Sequence, residues 1–318
     1  MHMKSRKCSD GMPVIAFLLV VHTNPRQCNC FIRQLLQYPQ SYVYIHIDAK
    51  FTNIAKEIVT DERVLILPEH YDIKWGDYTQ ILVNNYLMRY ASGIRHHDYY
   101  SLHSGADLMI RPADDFARFL SQTNCYAFCD CVPLPSGWQY GGGLGRLALT
   151  WPTCFRKRLS SHSPLRYLRS LYGKLYGAKI IKGKKLPKKY KFYGGADWFT
   201  ISGDCANELL EFIDREPEFQ ELFIRSLSGA EIYYVTLFEM LKADRPIEDK
   251  NLLRFIDWKP RGQKLSVGSP NTCTMSFLDE IEDSGCFFAR KFNAEIDSEI
   301  IDYFLKKTGV CDCELGIL

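Results

Sequence analysis

The sequence predicts an α/β fold: one domain on a central, mostly parallel sheet with helices on both faces. Three observations predict it. Residues 14–21 form a continuous apolar run, as a strand buried on both faces requires. Over the first 120 residues, short β-branched and aromatic runs alternate with stretches of helical period. The chain has 318 residues, 46% hydrophobic and 24% charged, enough to bury a large core and too apolar for wholesale disorder.

Each element has a local reason. Residues 1–12 carry no apolar period and read as a loose arm. The eight-residue run after it is too short for a bilayer, which needs about 20 residues. His22, Asn24 and Arg26 follow it where a signal peptide would place small residues, so it reads as the first strand. Asn24-Pro25 caps a helix whose buried side holds Phe31, Leu35 and Leu36. Residues 41–48 are rich in β-formers, Ala55, Ile58 and Val59 suggest a helix, and 63–67 form a short third strand. A helical pattern over 77–90 carries Ile81, Leu82, Asn85, Tyr86 and Met88. Residues 99–102 read as a strand, and 112–120 as a helix with Phe116 and Leu120 four apart.

Residues 132–191 break the alternation and predict an irregular half. Gly141, Gly142, Gly143 and Gly145 read as a loop tip or broad turn, since no strand-to-helix context makes them a phosphate cradle. Lys182, Lys184, Lys185, Lys188, Lys189 and Lys191 form a run that Pro187 interrupts. It is read either as a solvated loop or as a lip that attracts an anionic acceptor or membrane surface. Regular elements then resume: strand 198–201, a helix opened by Ser202-Gly203-Asp204 with Leu209, Leu210 and Ile213, and a helix over 231–242. Strand 252–256, a short helix 277–281, strand 286–289 and a last helix 296–304 complete the set. The expected bounds are an arm at 1–12, the domain at 13–308 and a tail at 309–318.

Composition narrows function. Forty Lys and Arg against 37 Asp and Glu leave +3, which argues against a dedicated nucleic-acid coat and leaves only a local basic patch, the lysine run, to suggest nucleic-acid binding. Of twelve cysteines, three pairs are separated by one residue: Cys28/Cys30, Cys129/Cys131 and Cys311/Cys313. Structural zinc sites use spacings of two to four, and disulfide scaffolds are shorter, so free thiols in a reducing compartment lead over disulfides and metal. The first strand is followed by neither a dinucleotide glycine fingerprint nor a P-loop. HExxH, GxSxG, an Asp-x-Asp after a central strand and a three-ligand metal set are also missing from the sequence.

Open α/β sheets bind ligands at the carboxyl ends of their strands. Val21-His22 ends the first strand and Asp48 the second. There a carboxylate can accept from a nucleotide base or ribose and an imidazole can stack or donate, although both types also serve as turn caps. Asp107, after Ser104-Gly105-Ala106, is placed either to hold sugar hydroxyls or to cap a turn. Glu231 opens an apolar helix, where a carboxylate can take a proton from an alcohol or be an ordinary first-turn acid. Arg290 and Lys291, set between aromatics in Phe287–Phe292, suit a diphosphate. Arg254, Asp257 and Trp258 form a second mixed cluster that would close the same site.

These segments resemble the core-2/I-branching N-acetylglucosaminyltransferase family (glycosyltransferase family 14), which also includes peptide O-xylosyltransferases. The resemblance rests on Val21-His22, His46-Ile47-Asp48-Ala49-Lys50, Trp75-Gly76 and the segment Ser101 to Asp107. It continues through Tyr193-Gly194-Gly195-Ala196-Asp197-Trp198, Ala230-Glu231, Leu253 to Trp258 and Phe288-Ala289-Arg290-Lys291-Phe292, in family order over residues 14–305. It implies a GT-A-like fold and metal-independent inversion with a UDP-sugar donor, most simply UDP-GlcNAc, and no cofactor. It implies nucleoside contacts at Val21, His22 and Asp48, diphosphate contacts at Arg290, Lys291 and Arg254, and a catalytic base at Glu231. Acceptor and sugar contacts would fall to Asp107, Trp198, Asp257 and Trp258. Ala230 before the base and Gly-Ala-Asp at 105–107 depart from the family pattern. With no anchor in the sequence, the expectation is a bacterial-type cytoplasmic enzyme, at or near the inner face of the membrane, acting on a glycan or lipid-linked saccharide. A UDP-xylose donor, or a silent carbohydrate- or nucleotide-binding protein on the same fold, are the alternatives.

Overall fold

A computed structural model describes residues 11–160, 162–259 and 269–310. Most of the expected arm and tail, with Cys8, Cys311 and Cys313, lie outside the described residues.

The strands are β1 (Ile15–Val21), β2 (Ser41–Ile47), β3 (Val64–Ile66), β4 (Tyr99–Ser104), β5 (Asp107–Met109), β6 (Ala127–Phe128), β7 (Val132–Pro133), β8 (Tyr193–Gly194), β9 (Thr200–Ser202), β10 (Ile247–Glu248), β11 (Arg254–Ile256) and β12 (Phe288–Arg290). Seven of them form the main sheet in the order β10-β6-β9-β4-β1-β2-β3. β1 lies between β2 and β4, parallel to both. Its side chains alternate: Ile15, Phe17, Leu19 and Val21 enter one core cluster, Ala16 and Leu18 the other. A strand sandwiched in this way has no face left for polar residues, which is why its sequence reads as an unbroken apolar run. The sheet is mixed: β9 runs antiparallel to both β4 and β6, while the other pairings are parallel. A three-stranded sheet, β11-β12-β5, stands apart from it, and β7 pairs with β8.

The helices are α1 (Pro25–Leu36), α2 (Thr79–Ile94), α3 (Ala113–Ser121), α4 (Gln139–Gly142), α5 (Gly145–Ala148), α6 (Pro164–Gly177), α7 (Gly203–Arg215), α8 (Pro217–Glu221), α9 (Ala230–Leu241), α10 (Leu278–Glu282) and α11 (Glu299–Lys307). α1, α3 and α11 pack on one face through Phe31, Leu35, Phe116, Leu120, Ile300 and Phe304. α2, α7 and α9 cover the other through Ile81, Leu87, Leu209, Ile213, Tyr234 and Phe238. Helices on both faces are thus present as expected.

Several elements differ from expectation. Residues Ala49–Glu57 form a 3₁₀ helix capped by Asp48, with Phe51 off helical geometry. The stretch read as irregular contains α6, fourteen residues long. Apolar residues lie on both its inner and outer sides, so no single stripe marks it in the sequence. The triple glycine lies in and just after α4, but that short element departs from helical geometry at Tyr140 and Gly141, and Gly141, Gly142 and Gly143 all have positive φ, so the expected turn is present. Nine cysteines fall among the described residues, and none of these pairs in a disulfide. Burial pushes the Cys28 thiol up to about 12.

Candidate functional site

The three-stranded sheet builds the charged centre. Its register sets Arg290 directly opposite Asp107. Asp107 is fully buried, with Arg254 Nε 3.1 Å from Oδ2 and Arg290 Nε 3.3 Å from Oδ1. The Ser104 hydroxyl donates to Oδ1 at 2.7 Å. Burial alone would raise the Asp107 pKa, but Arg254 and then Arg290 outweigh it and hold the carboxyl well below its usual range.

Arg254 lies deeper than Arg290: their side chains are 1% and 15% exposed. Arg254 Nη2 donates to the Leu102 carbonyl at 2.8 Å and meets His103 Nδ1 at 2.6 Å. His103 Nδ1 also lies 3.2 Å from Asp107 Oδ2, and its Nε2 is 2.8 Å from Ser101 Oγ. Burial and then the Arg254 charge lower His103 to about 4, which keeps this ring neutral. Neither guanidinium saturates its donors. Among the described residues, Arg254 Nε and Nη1 and Arg290 Nε have no well-aligned hydrogen-bond acceptor. Trp198 lies against both cations, with Arg290 4.0 Å and Arg254 5.1 Å from its ring centre.

Toward the surface, positive charge accumulates. Lys291 Nζ donates to Ser269 Oγ at 2.7 Å, and burial, then Arg158 and Arg290, lower its pKa. His22 is exposed at the end of β1 beside Phe51, close enough to Asp48, Lys50, Arg158 and Arg290 to feel their charges. Lys50, Arg158, Arg290, Lys291 and the His22 imidazole gathered in this way favour an anion among them.

Glu231 stands in the first turn of α9, a third of its side chain exposed, and pairs with Arg146 of α5. Arg146 in turn lies 4.4 Å from the Trp138 ring. The Glu231 carbonyl accepts from Gly195 N at 2.8 Å. Gly195 is required there: a Cβ would sit 1.5 Å from the Asp130 carbonyl oxygen. Trp75-Gly76 joins the same corner, since Ser228 N donates to the Gly76 carbonyl at 2.8 Å just before α9. Asp197 completes it. Burial first, then the Glu231 charge, raise Asp197 to about 6 against the pull of Arg290.

The expected residues therefore divide. Glu231, Arg290, Lys291, Trp198 and His22 converge on one region. Asp107 and Arg254 belong to it but lie beneath it. Asp107 is fully buried and the Arg254 side chain is 1% exposed, with the carboxylate lying between the two guanidinium groups. Val21 is buried, and its carbonyl accepts from Asp48 N at 2.9 Å. Asp48 caps the 3₁₀ helix, with Oδ1 accepting from Lys50 N at 3.0 Å and Oδ2 2.9 Å from Lys50 Nζ. Asp257 is buried against Asn271, whose Nδ2 donates to it at 2.5 Å. Trp258 is 61% exposed. The candidate residues named from the sequence did not include Arg146, Arg158, His103 or Asp197. Only Asp197 and His103 had a signal, as members of ordered family segments; Arg146 and Arg158 sit in the stretch without pattern.

The model of the Core-2/I-Branching enzyme family matches residues 15–282. Xylosyltransferase 2 of Bos taurus is 23% identical over 329 residues, covering 95% of this chain and 35% of that protein. Xylosyltransferase 1 of Homo sapiens is 22% identical over 319 residues, covering 92% and 30%. The chain thus spans about a third of the length of the curated relatives it matches. A 4-diphosphocytidyl-2C-methyl-D-erythritol synthase from Anaerococcus prevotii aligns over 75% of this chain and 88% of its own, at 10% identity and a TM-score of 0.37, too remote to argue from. Among the described residues no helix is long and apolar enough to cross a membrane.

Proposed function

The chain belongs to the Core-2/I-Branching enzyme family, and from that premise we propose that it is an inverting glycosyltransferase on a GT-A-like fold, moving a sugar from a UDP-sugar to an acceptor hydroxyl with a β linkage. Glu231 accepts the hydroxyl proton as the acceptor oxygen attacks C1 of the donor. The C1–O bond to the β-phosphate breaks, and its electron pair leaves with UDP. Arg290 and Lys291, with Arg158 beside them, stabilise that leaving charge where it grows. Asp107 acts through Arg290, holding its guanidinium in place, while Arg254 keeps Asp107 ionised; Arg146 holds the Glu231 carboxylate. Cations in this role take the part that a divalent ion plays elsewhere, so the reaction is proposed to proceed without metal.

One observation supports this reading most. Gly195 donates to the Glu231 carbonyl and Trp198 stacks on Arg290, and these two residues are three apart in the chain. Three residues span at most roughly 11 Å. One short segment therefore ties the proton acceptor and the phosphate cations into a space the size of a sugar diphosphate.

GlcNAc is the first reading for the donor. The similarity to xylosyltransferases across more than nine-tenths of the chain favours UDP-xylose as the second. Incubation with a panel of UDP-sugars and a mixed glycan pool, in EDTA, with UDP and glycan masses followed by mass spectrometry, decides between them. UDP release with a matching glycan mass gain is expected. Release that requires added divalent metal would reject the cation-only mechanism. UDP-sugar binding without any release would point instead to a silent binding protein.

A further inference from the structure

α6 has two faces. Its inner face packs on the domain: Tyr172 lies 5.3 Å from the Trp151 ring, and Gly173 abuts Tyr140 so closely that a Cβ would collide with it. Its outer face should be polar, and it is not. Tyr167, Leu168 and Leu171, spaced three and four apart, are 67%, 52% and 52% exposed. The chain then folds back on the last turns, with Ile180 N and Ile181 N both donating to the Leu175 carbonyl. This leaves Ile180 69% exposed at the end of the helix.

The charge around this stripe is one-sided. From Cys131 to Ala196 the sequence has no Asp or Glu and carries fourteen Lys and Arg. The rest of the chain has 26 basic residues against 37 acidic. The molecule is therefore electrically polarised, despite a net charge of only +3. Not every lysine is outward. Lys184 Nζ donates to the Leu222 carbonyl, and Lys189 is neutralised by Glu216 and Glu218. Lys157, Lys174, Lys179, Lys182, Lys185 and Lys188 are exposed and make no ion pair among the described residues.

We propose that the outer face of α6 and the basic loop after it dock on an anionic bilayer, with Tyr167, Leu168, Leu171 and Ile180 entering the headgroup boundary and the lysines around them meeting lipid phosphates. Charge complementarity selects the partner class. The apolar stripe selects bilayer over nucleic acid, because a phosphate backbone would leave the leucines in water. Arg158 belongs to the same basic segment and also reaches the electrostatic neighbourhood of Lys291. Docking would therefore bring the mouth of the site near the membrane. The proposal goes beyond the transfer reaction and does not depend on it, since binding is measured without donor.

The test is co-sedimentation of the full chain with vesicles of phosphatidylcholine alone and with phosphatidylglycerol added. Binding to the anionic vesicles that falls with added salt is expected, as lysine contacts are screened within a Debye length. Leu168→Ser with Leu171→Ser should weaken it about tenfold or more. Lys182→Gln with Lys185→Gln and Lys188→Gln should weaken it about a hundredfold. Neither set should change UDP affinity by calorimetry. Equal binding to neutral and anionic vesicles, or no binding, overturns the proposal. So does salt-sensitive retention on duplex DNA that ignores the leucine changes. If the leucine variant melts early, the lysine variant, altered only at exposed side chains, decides alone.

Discussion

Asp107 is charged, and no part of it meets water. Those facts are compatible because two guanidinium groups and a hydroxyl surround it. Removing the carboxylate leaves Arg254 buried without a counter-charge. Asp107→Ala should therefore cost about 3–5 kcal/mol in chemical denaturation, the usual penalty for breaking a buried pair from one side. Trp198→Ala, by contrast, leaves that pair intact, so a comparable loss in that variant would show that the stack bears the weight. Glu231 makes a different prediction. Glu231→Gln keeps the shape and a polar contact to Arg146 but cannot take a proton. Turnover should fall by about 10²- to 10⁴-fold while UDP affinity, read by calorimetry, stays the same. Unchanged turnover on the true acceptor would remove Glu231 from the chemistry. For Lys291→Ala the expectation reverses: weaker UDP binding in calorimetry, and equal affinity would reject a diphosphate contact. At this scale the sequence identified residue types well and their depth badly. Arg254 and Arg290 look alike in a string, but neighbouring strands and register put one under the other.

Among elements, the segment between β8 and β9 matters most to the site. It runs past the Asp130 carbonyl so closely that Gly195 cannot carry a Cβ. Gly195→Ala must push the segment away from α9 or displace Asp130, breaking the Gly195 N to Glu231 carbonyl bond. A loss of about 3 kcal/mol is expected, together with a drop in turnover larger than the drop in UDP affinity. A variant with wild-type stability would mean the approach is looser than described. Most elements of the first 120 residues were legible: β1 as an unbroken apolar run, because both its faces are buried, and α1 and α3 by an apolar stripe, whereas β5 was not expected and residues 49–57 form a 3₁₀ helix. α6 was not legible, because its outer stripe faces water and interrupts the pattern that burial normally writes. β6, two residues long, is too short to carry period; β9 was expected as a strand over 198–201, but its antiparallel place in the main sheet follows from pairing with β4 and β6.

For the whole molecule, acid stability follows from a few buried groups. Burial lowers His46 and His103 to about 4 and His97 to about 3, aided by His70, Arg254 and Arg95 respectively. Each has a depressed folded pKa, so it contributes stability above the unfolded value near 6.5 that is lost as pH falls toward 4 or below. Asp197, raised to about 6, works the other way: its cost is present above that pH and disappears as pH falls toward 4. The net expectation between pH 6 and 5 is a stability falling by about 1.4 to 2.7 kcal/mol per pH unit, from one to two protons taken up on unfolding. Asp197→Asn should steepen the slope by about one proton in denaturant melts over this range; an identical slope would show that Asp197 titrates normally. By itself the sequence determined the α/β class, the order of the periodic elements and the family segments. Those are written in local apolar period and in short runs of residue types. Tertiary structure alone decided which charged residues reach the surface of the site, that Asp107 serves two arginines, and that Arg146, Arg158 and Asp197 join Glu231 and Lys291. Each of these depends on strands and loops far apart in the chain meeting in a particular register, and local composition carries no record of that.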